Sequence, residues 1–147
     1  MIIGPAEMNG LDALPAFAVP AGGNLIASIH YYAPFEFTHQ GAGWVPGAGR
    51  WLGRTWGGAA DEDAVRGDPA KVASCGREHR LPVFIGEFGV FSAADMVSRA
   101  RWTAFVRAEA ERLGLSWAYG EFGTDFGAFD PDRGEWREPL RRALLGD

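Results

Sequence analysis

Two apolar segments of this chain, Leu25–Tyr32 (LIASIHYY) and Leu81–Phe88 (LPVFIGEF), lack the strict alternation of a strand with one wet face. Both read as strands, and the first as one covered on two sides, as found in parallel sheets packed against helices. The turn Ala21-Gly22-Gly23-Asn24 launches the first. Residues 1–5 read as the end of another strand, residues 11–17 as a short helix and residues 115–122 as a last strand. Between strands, Asp68-Pro69 reads as a cap and first helical residue of a helix running to His79. Ser92 with Asp95 reads as a variant capping box for a helix that Gly114 stops. Its apolar stripe is Trp102, Phe105, Val106, Ala110 and Leu113, and a terminal helix follows over 138–145. Strand and helix alternate, so the fold class is α/β with parallel strands in one domain, 1–147.

Composition narrows the functions. Nineteen acidic against fourteen basic residues give a net charge of -5, which opposes nucleic-acid binding as a main activity. No apolar run is long enough for a membrane-spanning helix. The first residues lack a basic segment followed by an apolar stretch, so a cytoplasmic location is expected for the chain as it stands. One cysteine, Cys75, excludes an internal disulfide and reads as an inert helix residue. The 21 glycines, nine prolines and six tryptophans, many in the aperiodic stretch 33–60, suggest a ligand cleft framed by loops.

In parallel α/β folds ligands meet the C-terminal ends of strands. Those ends here are His30-Tyr31-Tyr32, Gly86-Glu87-Phe88-Gly89 and Tyr119-Gly120-Glu121-Phe122. Alternation puts Ser28, His30 and Tyr32 on one face, and Ile85 with Glu87 on one face of the next strand. A carboxylate ending a buried strand between two glycines is a costly placement unless chemistry uses it. It suits retaining glycoside hydrolysis, in which a carboxylate nucleophile stands about 5–5.5 Å from a second carboxyl that protonates the leaving oxygen. His30, His39 and Glu87 lack a compact metal-ligand spacing, and no glycine stretch has a phosphate-binding pattern, so no metal or cofactor is expected.

The blocks NLIASIHYYAPFEFTHQGAGW (24–44), PVFIGEFGV (82–90) and WAYGEFGTDFGAFDPDRGEW (117–136), in that order, closely resemble the cellulase-type glycoside hydrolases of family 5. The resemblance covers essentially the whole chain and implies half of a (β/α)8 barrel, family strands five to eight. It implies Glu87 as the nucleophile ending the seventh strand. His30 and Tyr32, ending the sixth, would bind the sugar and orient that nucleophile. Thr38, His39, Gln40 and Trp44 fall in the loop above the cleft as weaker substrate-binding candidates. The implied ligand is a β-linked oligo- or polysaccharide, and the implied reaction is retaining β-1,4-glucan hydrolysis. Relatives of this kind are often secreted.

Two departures stand beside that resemblance. The family's acid/base glutamate follows an asparagine at the end of the fourth strand, before the position where Met1 aligns; Asn9 cannot stand in, because Gly10 follows it. In the eighth strand relatives commonly carry YWEF where this chain has Tyr119-Gly120-Glu121-Phe122, so the indole platform under the sugar is missing. Trp117 falls on the opposite strand face, and Trp136 is expected to pack the last helix. A barrel of this kind takes about 250 residues. Four parallel strands leave two open edges, so a homodimer or higher homo-oligomer is expected. Glu121, Glu7 or Glu87 of a second copy are the possible replacement acids. The alternatives are a non-catalytic, vestigial carbohydrate-binding half-barrel and a fragment that needs a separate N-terminal half.

Overall fold

The computed structural model describes residues 1–146. Four strands, β1 (Ile2–Ile3), β2 (Ile26–Tyr31), β3 (Val83–Phe88) and β4 (Ser116–Trp117), form one sheet in chain order. Every neighbouring pair is parallel. The connections carry the long helices Ala59–His79 and Met96–Arg112, and the helix Glu138–Leu145 closes the chain. This is an α/β half-barrel, with β2 and β3 as the two full-length strands at its centre.

The core lies between the helices and one face of the sheet. Ile29 and Tyr31 of β2 meet Ile85 and Phe88 of β3, all at most 1% exposed. Val65 and Val72 from the first long helix, and Trp102, Val106 and Ala110 from the second, complete the layer. The expected stripe therefore holds, with Phe105 and Leu113 at its half-buried margin. Trp102 stacks on Tyr31 with ring centroids 6.0 Å apart, and its indole N–H donates to Ala33 O at 3.0 Å. Gly114, at φ +70°, ends that helix as read from the sequence.

Alternation fails at the centre of β3. Ile29 pairs with Ile85, yet the next residue, His30, pairs with Glu87, leaving Gly86 as an extra residue in a bulge. Ile85 and Glu87 consequently do not share a face: Ile85 joins the core, and Glu87 turns to the side of His30 and Tyr32. A Cβ on Gly86 would come within 1.9 Å of Ser28 Oγ, so any larger residue there must displace that side chain.

Other local readings are corrected too. The helix expected from Asp68 begins at Ala59, where the Asp61 carboxylate accepts the Gly57 and Gly58 amides at 3.0 and 3.1 Å. It runs through Pro69 because Val65, Val72 and Cys75 bury the same side. That burial outweighs the one backbone hydrogen bond a proline removes. Asp68 is then free to accept from the Tyr31 hydroxyl at 3.1 Å and Lys71 Nζ at 2.7 Å. The next helix is capped by Asp95, which accepts the Ser98 amide at 2.9 Å, instead of by Ser92. Residues 11–17 form a 3-10 turn, Leu11–Ala16. The expected strand 115–122 keeps ladder geometry only at Ser116–Trp117, although the Ala118 and Gly120 amides still reach β3 carbonyls. Trp136, expected against the last helix, sits in a small hairpin, Phe129–Asp130 with Glu135–Trp136, edge-on to Phe122 and Phe129.

Truncation of Trp102 to Ala removes the stack on Tyr31, the bond to Ala33 and the centre of the core. It is expected to lower the unfolding free energy by roughly 3–5 kcal/mol, read from urea denaturation.

Candidate active site

The bulge and the strand ends bring three side chains together. Glu87 projects from the end of β3 beside His30 on β2, and Tyr32 follows one residue after β2 ends. The Tyr32 hydroxyl donates to Glu87 Oε1, and His30 Nδ1 stands 3.4 Å from Glu87 Oε2. Burial and the bond to Glu87 push the Tyr32 phenol far above its ordinary range, so it stays a donor. One carboxylate oxygen is thus held by Tyr32 while the other faces an imidazole. The Glu87 side chain is 42% exposed and opens into a cavity of about 710 Å³. His30, Tyr32, Phe35, His39, Trp44 and Phe126 are among the residues that line it.

The loop after β2 builds the wall. Thr38 Oγ1 gives its hydrogen to Tyr32 O at 2.7 Å, so at His39 Nδ1, 3.0 Å away, it acts as acceptor. His39 therefore carries its proton on Nδ1, which leaves Nε2 as an acceptor. Its ring stacks on Phe35 at 4.0 Å and meets Tyr32 and Phe126 edge-on. Burial drives the His39 imidazole down to about 4, with Glu87 acting weakly the other way. Trp44, 58% exposed, packs edge-on against Phe91.

The remaining sequence candidates divide. Gln40 is fully buried and does not line the cavity. Its amide donates to Phe37 O and Arg54 O and accepts from the Gly53 amide, which ties the loop to itself. Thr38 does not line the cavity and reaches it only through its bonds to Tyr32 O and His39 Nδ1. Glu121 accepts the Phe126 amide at 3.2 Å, whereas Glu7 lines the same cavity as Glu87. Trp117 faces Phe88 in the outer layer, away from the cleft. Among the described residues no cluster of His, Cys, Asp and Glu is arranged to hold a metal ion.

Two cleft features escaped sequence reasoning. Phe126 covers the site from the glycine-rich loop, its carbonyl clasped by the Tyr119 hydroxyl at 2.9 Å and Arg99 at 3.1 Å. Phe35 supplies a second apolar wall; its place directly after Pro34 in the APFEF stretch was the available signal. Gly120, read from the sequence as the site of a missing indole, lies against the cluster: a Cβ there would lie 2.5 Å from Glu87 Cγ and 3.3 Å from Tyr32 Oη.

The arrangement is a parallel half-barrel with a tyrosine-held carboxylate at a strand end. The family profile of the cellulases, glycosyl hydrolase family 5, matches residues 1–125, and the chain belongs to that family. A solved structure of Thermotoga maritima Cel5A in complex with cellobiose is 44% identical, with a TM-score of 0.94 over 97% of this chain. The same enzyme in complex with mannotriose gives the same figures. Endoglucanase H of Acetivibrio thermocellus is 33% identical over 141 residues, 96% of this chain. The chain spans 47% of the Thermotoga structures and 14% of Endoglucanase H.

Folded His39 resists a proton that the unfolded chain takes up near 6.5, so the unfolded state binds more protons between about 6.5 and 4. Stability is expected to fall as pH falls through that window, and His39→Gln to remove this component. Urea midpoints of the two proteins, compared from pH 7 down to pH 4, should converge toward acid and run parallel above the window.

Proposed function

We propose that these residues are the nucleophile half of a retaining β-glucan hydrolase site. They bind β-linked oligosaccharide against Glu87 and take the acid/base carboxyl from polypeptide outside the four strands described. The observation that carries this reading is the Tyr32–Glu87–His30 cluster, held at adjacent strand ends and open to an aromatic-walled cavity. Cellobiose and mannotriose, the sugars bound in the Thermotoga enzyme, support a β-glucan with tolerance for mannose units. The exposed faces of Phe35 and Trp44 suit the apolar faces of pyranose rings, and His39 Nε2 suits a sugar hydroxyl.

In the reaction Glu87 attacks the anomeric carbon. The bond to the leaving oxygen breaks, and that oxygen takes a proton from the acid. Tyr32 and His30 hold the carboxylate so that one lone pair faces the sugar. Water then cleaves the glycosyl ester, and the second carboxyl now acts as base. Glu121 is engaged with the Phe126 amide, which favours an acid from elsewhere. A separate N-terminal half is the reading that the 47% coverage supports best. Self-association is the second, because β1 and β4 are edge strands among the described residues.

The test bypasses the acid. A 2-fluoro cellobioside with a dinitrophenolate leaving group departs without protonation, so a positioned Glu87 should trap one sugar, seen as added intact mass. Glu87→Gln should show none, and a native mass of the same sample reports whether the chain is a monomer. An adduct that persists in Glu87→Gln would sink the assignment.

A further inference from the structure

The turn after β1 contains three successive non-glycine residues in the left-handed region, Glu7, Met8 and Asn9, at φ 56°, 58° and 59°. Such runs are rare, because each side chain crowds its own backbone there. Strained backbone of this kind concentrates where a side chain must be delivered to a set place. Here the delivered group is the Asn9 carboxamide, whose Nδ2 lies 3.2 Å from His30 Nε2. The following residue, Gly10, forms a parallel bridge with His30 and locks the turn to β2. Room for the carboxamide comes from Gly4, where a Cβ would lie 2.1 Å from Asn9 Oδ1.

An amide nitrogen only donates, so His30 Nε2 must be the acceptor and carry no proton. The proton of the neutral ring is then on Nδ1, the atom 3.4 Å from Glu87 Oε2. With the opposite tautomer, a bare nitrogen lone pair would face that carboxylate. We infer that Asn9 is a positioning residue that sets the His30 tautomer and so aims the Nδ1 proton at Glu87. The catalytic meaning of that aim rests on the proposed nucleophile, but the tautomer itself does not.

The experiment is a long-range proton–nitrogen NMR correlation of the His30 ring in wild type, Asn9→Asp and Gly4→Ala. Aspartate is nearly isosteric and tolerates the left-handed region, but its carboxylate can only accept. In wild type His30 Nε2 should show the shift of an unprotonated nitrogen, and in Asn9→Asp that of a protonated one. Gly4→Ala keeps Asn9 but fills its space, and should also release Nε2 from its fixed state. A protonated Nε2 in wild type, or an unprotonated one in folded Asn9→Asp, overturns the inference. Labelling with the fluorinated cellobioside is measured in parallel, and Asn9→Asp should be slowed by about tenfold. Labelling absent from wild type while the tautomer switches as described refutes the proposed nucleophile and leaves the role of Asn9 standing. Labelling at equal rates with no switch refutes Asn9 and leaves the nucleophile.

Discussion

The site depends on one extra residue in one strand. A regular β3 would place Glu87 opposite Tyr31 and on the core side with Ile85. The bulge at Gly86 separates the two, so Ile85 closes the core while Glu87 stands level with His30. A side chain in the bulge would have to move Ser28 Oγ, which already occupies its space. Packing and chemistry are thus divided within three residues. The helices cover the outer face through Trp102 and Tyr31, and the same strands carry Glu87, His30 and Tyr32 on the other.

Much of this was legible in the residues. The apolar runs named both central strands, and Glu87, His30 and Tyr32, singled out at their polar ends, do stand together. Reading failed where tertiary contact overrode local preference. Asp68-Pro69 has the pattern of a helix start, but buried neighbours on both sides carry the helix across it. The face of Glu87 was misread because a bulge leaves the period of apolar residues unchanged up to Ile85. Asn9 was set aside for lacking a following glutamate; its three-dimensional partner is a histidine 21 positions away, which no local pattern encodes.

Loop residues show the same division between signal and use. Thr38, His39 and Gln40 sit side by side in one motif, yet only His39 faces the cavity. Gln40 has both ends of its amide committed to loop backbone, and Thr38 links Tyr32 to His39. A run of polar residues therefore reports that a loop is built to a fixed shape, and burial decides which member touches a ligand.

The openness of Glu87 has an electrostatic consequence. A carboxylate 42% exposed keeps much of its charge solvated, and that competes with the Tyr32 hydroxyl and the His30 ring. Covering that side with further polypeptide would expel water, lower the local effective dielectric and strengthen the same contacts without moving an atom. Whatever closes the half-barrel would thus amplify the groups already in place, so assembly and chemical power are coupled through the solvent it expels.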